Sequence, residues 1–204
     1  MARAALFIFA RAPAYGAVKT RLARDIGVGA ALRFHRQSLA TVVRRFSGTP
    51  GLEVILAVTP RHRLADAAWP RGVARIDQGR GDLGQRMLRV LRHAGHRPAL
   101  LIGSDIPEAG VHHLREALGH LARARFVLGP TVDGGYWLIG TSRPSLLSTR
   151  LLDGVRWSTP HALADTMHRL GGAAVLGERL VDVDDGAAWS RVQARQRVGE
   201  AGNV

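Results

Sequence analysis

The sequence has no cysteine, which excludes disulfides, a thiolate nucleophile and a cysteine-ligated zinc site. Aromatic residues make up only 5% of the chain and none alternates with arginine, so the stacking pattern of nucleic-acid-binding proteins is missing. The opening run Ala4–Ala10 is too short to cross a membrane, and no later apolar run approaches the roughly 18 residues needed. No cleavage-like segment follows it. We therefore expect a cytoplasmic protein without a membrane span.

Lysine is nearly absent as well. Lys and Arg together number 29 and give a net charge of +13, yet every one of them except Lys19 is arginine. The arginines are scattered over all the predicted helices, with Arg44 and Arg45 the only adjacent basic pair, which argues against specific nucleic-acid binding. Such a charge would instead draw small anionic substrates toward the protein.

Short aliphatic runs alternate with segments whose apolar residues recur at helical spacing. This alternation predicts a single α/β domain over residues 1–204, with three layers and a mostly parallel sheet. Only PTVDGG separates the last two strands of the central region, which is too short for a parallel crossover, so the later strand should run antiparallel. The predicted strands are Ala4–Ala10, Leu52–Thr59, Val73–Asp77, Pro98–Gly103, Arg125–Gly129, Tyr136–Gly140 and Ala174–Val183.

The single lysine lies in FARAPAYGAVKTRL, residues 9–22, where a predicted strand passes through a loop into a helix. Ligands of α/β sheets bind at the carboxyl ends of strands, and a helix N-terminus offers N–H groups to anions. A lysine ammonium is a mobile point charge that can follow a phosphate. We predict a phosphate-binding loop, the alternative being that Lys19 is a chance survivor on a solvated face. The residues predicted to bind nucleotide here are Ala10, Arg11, Pro13, Gly16, Lys19 and Arg21.

Two further junctions carry candidate binding residues. In DQGRGDLGQRM, residues 77–87, Gly81 and Asp82 precede a helix that contains Arg86, a pattern that suits either a base and ribose or a plain capped connector. In LLIGSDIP, residues 100–107, an apolar strand leads to Ser104 and Asp105. A carboxylate there suits Mg²⁺ or Mn²⁺, and its alternative role is to cap the following helix.

The C-terminal half adds carboxylates and aromatic rings. Asp133, Gly134 and Gly135 form the predicted turn, and we interpret them together with Trp137 and Trp157 as an acceptor or sugar site in which Asp133 is catalytic. Asp182 and Asp184 share one face of the last predicted strand, and Asp184 is the candidate second metal ligand.

The motifs together resemble one known family: F-A-R-x-P-x-x-G-x-V-K-T-R-L, Q-G-x-G-D-L-G-x-R, I-G-S-D-x-P, L-G-P-x-x-D-G-G-Y-W-L-I-G, W-S-T and D-V-D. It is the bacterial DUF2064, or arsenosugar-biosynthesis-type, group of GT-A-like glycosyltransferases, which is related to nucleotidyltransferases of deazaflavin and molybdenum dinucleotide cofactor synthesis. The resemblance implies a nucleotide-diphospho-sugar transferase fold, phosphates at Lys19 and Arg21, a base and ribose near Gly81 and Asp82, and a divalent metal at Asp105 and Asp184. Ser104-Asp105 departs from the Asp-x-Asp element of related enzymes, because it carries one carboxylate instead of two.

Three hypotheses therefore follow. The first is glycosyl transfer from a nucleotide sugar to a small acceptor, with Lys19 and Asp133 as catalytic residues. The second is transfer of a nucleotide from an NTP to a phosphorylated acceptor with release of pyrophosphate, which the lysine loop suits. The third is a nucleotide-binding protein without catalysis, and the joint retention of Lys19, Asp105, Asp133 and Asp184 argues against it. The sequence leaves homodimer formation open.

Overall fold

The computed structural model of the protein describes residues 3–106 and 108–181. One mixed sheet of seven strands forms its centre. The strands are β1 (Ala4–Arg11), β2 (Leu52–Thr59), β3 (Ala74–Asp77), β4 (Ala99–Gly103), β5 (Phe126–Pro130), β6 (Tyr136–Thr141) and β7 (Ala174–Leu176), in the order β3-β2-β1-β4-β6-β5-β7. β6 runs antiparallel to β4 and β5, while the other pairs are parallel. The mixed, mostly parallel sheet predicted from the sequence is confirmed.

Helices cover both faces of the sheet, as the alternating apolar pattern requires. They are α1 (Thr20–Ile26), α2 (Val28–Phe46), α3 (Leu83–Arg92), α4 (Val111–Leu121) and α5 (Ala162–Leu170). α2 and α4 pack on the face that carries Leu6 and Ile8 of β1, whereas α3 and α5 pack on the face that carries Phe7. Neighbouring residues of a strand point to opposite faces, so β1 contributes to both cores and is buried along nearly its whole length.

Strand boundaries agree with the prediction to within one residue except in β7, which ends at Leu176 rather than at residue 183. The chain continues beside β5, where Leu180 forms an isolated parallel bridge with Thr131. Between these points the Gly177 N–H still donates to the Leu128 carbonyl at 2.8 Å, whereas the Glu178 backbone carbonyl accepts a side-chain hydrogen bond instead. Asp182 and Asp184, predicted on one face of this strand, lie outside the described residues.

The topology brings the candidate segments to one edge of the sheet. The loops after β1, β3 and β4 leave from the carboxyl ends of parallel neighbours. Because β6 is antiparallel, the turn before it reaches the same edge. None of the helices in residues 3–106 and 108–181 combines the length and apolar character that a bilayer crossing requires.

Candidate functional site

Lys19 and Asp105 form an ion pair between the ends of the adjacent strands β1 and β4. The Lys19 Nζ donates to Asp105 Oδ2 at 2.6 Å across 86 residues of sequence. The lysine side chain is only 8% exposed, against 30% for the aspartate. Charge-assisted bonds of this kind are stronger than neutral ones, and burial reduces their screening by solvent. The two residues were predicted as a phosphate ligand and a metal ligand, and the structure joins them directly.

The backbone at Lys19 has an unusual conformation. Its φ and ψ are both 48°, in the left-handed region that side chains other than Asn, Asp or His seldom adopt. Such a residue costs about 1–3 kcal/mol and tends to persist where a function needs it. Its carbonyl accepts the first bond of α1, from the Ala23 N–H at 2.8 Å. α1 has only seven residues, so the ammonium itself is the main positive charge that this segment offers a ligand.

Helix α2 holds the ends of β1 and β4 in register. His35 Nε2 lies 2.9 Å from the Arg11 carbonyl, and Ser38 Oγ donates to the Ser104 carbonyl at 2.7 Å. A carbonyl only accepts, so His35 Nε2 carries the hydrogen. Both side chains are buried and lie one turn apart on α2. They therefore fix the strand ends that present Lys19 and Asp105.

Burial lowers the pKa of His35 from 6.5, and the nearby Lys19 ammonium lowers it further. The hydrogen bond to Arg11 and the negative charge of Asp105 act in the opposite direction. In the sequence, His35 lies at helical spacing among apolar residues such as Leu32 and Leu39. A polar residue in such a stripe is the signal that could have identified this clamp.

Gln78 is a second buried anchor, and it was also missed. Its side chain is 3% exposed and donates through Nε2 to the Ala57 carbonyl at 2.8 Å and the Ala10 carbonyl at 3.4 Å. Its Oε1 accepts from Arg86 at 3.2 Å, and the Arg86 guanidinium also reaches the Asp82 carbonyl. Gln78 thus ties β1 and β2 to the guanidinium predicted to bind nucleotide.

The glycine-rich loop between β3 and α3 is closed by its own polar contacts. Asp82 is the N-cap of α3, and its Oδ1 accepts from the Gln85 N–H at 2.8 Å, as predicted. Gly81 has a φ of 105°, and a Cβ there would lie 2.2 Å from Gln85 Oε1. Arg89 donates to the carbonyls of Gln78 and Arg80 from the helix side. The loop has a defined shape at the edge of the sheet.

The turn between β5 and β6 positions Asp133. Its Oδ1 accepts from Thr131 Oγ1 at 2.6 Å and from the Gly135 N–H at 3.0 Å, while no residue in the described ranges bonds its Oδ2. Gly134 has a φ of 85° and lies against the segment before α5, where a Cβ would come within 2.1 Å of the Pro160 carbonyl. The Gly134 carbonyl accepts from the Leu163 N–H at 2.9 Å. Only glycine fits this approach.

Trp157 connects three of the predicted segments. Its ring lies against the first turn of α3, where a Cβ on Gly84 would be 2.6 Å from Cζ2. It also meets the Tyr136 ring edge-on, with centroids 6.4 Å apart. Burial raises the pKa of Tyr136. The W-S-T segment therefore joins the glycine-rich loop to the start of β6.

Trp137 occupies a different place from the acceptor site that was predicted for it. It is 4% exposed, and its indole N–H donates to the Glu178 carbonyl at 2.9 Å. Neighbouring strand residues point to opposite faces, so Tyr136 meets Trp157 on one side while Trp137 packs in the core on the other. In this structure the Trp137 ring offers no face to a ligand.

A group of possible metal-binding atoms lies near Trp137, where nitrogens of His112 and His113 and a Glu178 oxygen come within 4.8 Å of one another. His113 Nδ1, however, accepts the Gly110 N–H at 2.8 Å, so the hydrogen of the neutral ring sits on Nε2 and faces Glu178 at 3.2 Å. Metal-ligating histidines usually donate through their second nitrogen. As placed, His113 accepts the N–H of Gly110, the N-cap of α4, and its Nε2 is paired with Glu178, so both of its nitrogens are engaged.

The Asp105 carboxylate is a suitable type of ligand for a Mg²⁺ or Mn²⁺ ion. Magnesium is commonly held by one or two carboxylates, with substrate phosphates and water completing its octahedral shell. Asp105 is partly exposed at the sheet edge, and α4 begins after Gly110, so Asp105 does not cap that helix. The predicted second ligand, Asp184, lies outside the described residues. Phosphate and water oxygens could complete the shell of an ion bound at Asp105.

Residues 42–159, more than half of the chain, match the family model for an uncharacterized protein conserved in bacteria, DUF2064. No curated protein sequence matches the chain. Among solved structures, a Desulfovibrio desulfuricans G20 protein provisionally named a nucleotide-diphospho-sugar transferase is 26% identical, with a TM-score of 0.79. The alignment covers 91% of this chain and 84% of that one.

Two more distant structures share the fold. CMP:2-keto-3-deoxy-manno-octonic acid synthetase, complexed with CTP, is 14% identical with a TM-score of 0.59, over 97% of this chain and 100% of that one. Glucosyl-3-phosphoglycerate synthase from Mycobacterium tuberculosis, in complex with Mn²⁺, UDP and glucosyl-3-phosphoglycerate, is 13% identical with a TM-score of 0.53. That alignment covers 97% of this chain and 77% of that one. The fold is that of the nucleotide-diphospho-sugar transferases.

Proposed function

This chain belongs to the DUF2064 family, and from that membership and the geometry of its site we propose that it is a metal-dependent transferase acting on a nucleotide-activated donor. The reaction we favour is glycosyl transfer from a nucleoside-diphosphate sugar to a small acceptor. The likeness to the Desulfovibrio protein supports the transferase class. The observation that carries the proposal is the buried Lys19 ammonium beside Asp105, where β1 and β4 end.

Lys19 and Arg86 have separate roles in this proposal. Lys19 neutralises the diphosphate that departs when the bond from the sugar to phosphate breaks. Arg86, fixed by Gln78, binds the nucleotide at the other side of the β1 end. Donors that are held in place before the reaction stabilise developing charge without reorganisation. When bound at Asp105, Mg²⁺ or Mn²⁺ would supply additional Lewis-acid stabilisation of the diphosphate.

Asp133 is the proposed base for the acceptor. The turn bonds hold Oδ1 and leave Oδ2 for a hydroxyl. As that oxygen attacks the sugar carbon, its proton passes to the carboxylate and the nucleoside diphosphate leaves. Trp157, half-buried beside the glycine-rich loop, lies where a sugar ring could pack between the nucleotide and the acceptor.

Nucleotidyl transfer is the alternative that a specific observation favours. A mobile ammonium in the loop after β1 suits a triphosphate whose α-phosphate is attacked while pyrophosphate departs. The CTP-complexed synthetase has the same fold. In this case a phosphorylated acceptor replaces the sugar acceptor, and Asp133 need not act as a base.

Calorimetric titration with UDP, GDP, CDP, ADP and the corresponding triphosphates, each with and without Mn²⁺, tests the proposal. We expect metal-dependent binding of one diphosphate that improves when a sugar is attached. Preference for a triphosphate would instead favour nucleotidyl transfer. Absence of binding by every nucleotide would contradict both.

With the donor known, Asp133→Asn tests the base. We expect turnover to fall about 100-fold or more while donor affinity stays within about twofold, because the change removes a proton acceptor and keeps the shape of the turn. Unchanged turnover would remove Asp133 from this role.

A further inference from the structure

Resting on the proposed function, we propose that the Lys19–Asp105 pair is a cation placeholder. In the free protein the ammonium occupies the carboxylate oxygen that a divalent metal needs. The phosphates of an arriving nucleotide draw the ammonium away, and the carboxylate then becomes available to the metal. Metal and nucleotide therefore bind together, and each binds weakly alone.

Geometry gives the first reason. Lys19 Nζ lies 2.6 Å from Asp105 Oδ2, whereas Mg²⁺ binds oxygen at about 2.1 Å, so an ion on Oδ2 would meet the ammonium unless it moved. The other oxygen, Oδ1, faces the end of β4, where a Cβ on Gly103 would lie 2.6 Å away. Oδ1 therefore lies in the space that the absent side chain of Gly103 leaves at this strand end.

Burial gives the second reason. Because the lysine side chain is 8% exposed, repulsion between its charge and a divalent ion would be weakly screened. Two cations on one carboxylate would also leave excess positive charge in a chain whose net charge is already +13. A phosphate removes this conflict, since it takes the ammonium and offers oxygens to the metal.

The choice of lysine gives the third reason. Of all the Lys and Arg positions in this chain, every one except position 19 is arginine. An arginine fork binds a carboxylate bidentately and would hold Asp105 in a fixed geometry, whereas an ammonium on a flexible stem can pass from carboxylate to phosphate. The backbone of Lys19 lies in the left-handed region. In the proposed exchange this backbone stays in place while the ammonium moves from the carboxylate to the phosphate. Exchange of partners explains why one lysine is retained.

Binding of Mn²⁺ alone, followed by calorimetry or by the electron paramagnetic resonance of free Mn²⁺, provides the test. We expect Lys19→Met to bind Mn²⁺ about tenfold more tightly than the natural chain, within the usual range of coupling between sites. Lys19→Arg should not show this gain, because it keeps a cation on Asp105. Arg24→Met is the control, since it removes the same charge from an exposed position at the end of α1. Equal Mn²⁺ affinity in Lys19→Met and the natural chain would overturn the proposal.

A second arm uses inorganic pyrophosphate in metal-free buffer and does not depend on Lys19 variants being folded. Asp105→Asn should bind pyrophosphate about tenfold more tightly, because the Asp105 carboxylate no longer competes with phosphate for the ammonium. Weaker or unchanged binding would overturn the placeholder. These outcomes are distinct from failure of the proposed function, which would show as no nucleotide binding by the natural chain even with Mn²⁺.

Discussion

The two halves of the site differ in how their polar groups are held. At the ends of β1 and β4, each contact joins residues far apart in sequence: 86 residues for Lys19 and Asp105, and 66 for Ser38 and Ser104. At the β5–β6 turn, Asp133 bonds Thr131 and Gly135, each two residues away. The proposed phosphate half, at the ends of β1 and β4, exists only in the folded chain. The proposed acceptor half, at the β5–β6 turn, is a local turn in which Gly134 packs against the segment before α5.

This difference suits a transferase. The diphosphate is the constant part of an activated donor, so its charge can be met by groups that are buried and oriented in advance. The acceptor half is exposed at Asp133 and is positioned by the close packing of Gly134 against Pro160. We therefore expect it to adapt to its substrate with little effect on the phosphate half. We therefore expect a substitution in one half to impair that half while the other half keeps its function.

Gly134→Ala should have the largest effect on stability. The new Cβ would lie 2.1 Å from the Pro160 carbonyl at a φ of 85°, so both backbone strain and a clash oppose it. We expect a loss of about 3 kcal/mol in the free energy of unfolding, measured by urea denaturation. Below the unfolding transition, affinity for nucleotide should stay within about twofold while turnover falls.

Gly172→Ala is the matched control, because nothing lies within 4 Å of its added Cβ. It should change the free energy of unfolding by less than about 0.5 kcal/mol. A loss of nucleotide affinity in Gly134→Ala as large as its loss of turnover would show that the two halves are coupled.

Gln78→Leu should damage the phosphate half by a smaller amount. Leucine has a similar volume, yet it leaves the Ala57 carbonyl without its side-chain donor and Arg86 without its acceptor. We expect a loss of about 2 kcal/mol in the free energy of unfolding and about tenfold weaker nucleotide binding. Gln37→Leu, on the exposed face of α2, is the control and should change neither. Full nucleotide affinity in Gln78→Leu would exclude an orienting role for Gln78.

The contrast between the halves also explains what the sequence could predict. Strand positions followed from apolar runs, and the antiparallel β6 followed from the short PTVDGG connection, because both depend on neighbouring residues. The Asp82 cap was predicted for the same reason. Lys19 was identified by composition and Asp105 by its place after an apolar strand.

The long-range contacts could not be predicted in this way. A polar residue in an apolar stripe marks position 35, but neighbouring residues do not indicate that its partner is the Arg11 carbonyl, and they do not indicate that Gln78 bonds two strands. Trp137 illustrates the opposite error, since its place beside Tyr136 suggested a shared role, although adjacent strand residues face opposite sides. The His35 contact depends on how α2 packs on the sheet, and the Gln78 contacts depend on the pairing of β1 with β2. The place of Trp137 depends on which face of β6 the core covers.

His35→Gln should have the smallest effect on the free energy of unfolding, and that effect should depend on pH. Burial lowers the pKa of His35 from 6.5, so the unfolded chain takes up a proton more readily than the folded one in the range just below pH 6.5. Acidification therefore withdraws stability from the natural chain through this residue. Glutamine keeps an N–H donor for the Arg11 carbonyl and does not titrate. The stability advantage of the natural chain over His35→Gln should shrink between about pH 7.5 and about pH 5.5 in urea denaturation with EDTA present.

Ser38→Ala separates this titration from mere loss of the α2 clamp. It removes the bond to the Ser104 carbonyl, one turn further along the helix, without removing a titrating group. We expect it to lower the free energy of unfolding by about 1 kcal/mol at every pH, with the slope of the natural chain preserved. If His35→Gln shows that same unchanged slope, His35 takes up its proton as easily in the folded chain as in the unfolded one. The phosphate half would then be more open to water than the burial of His35 indicates, and the contrast between the two halves would be weaker than its contacts suggest.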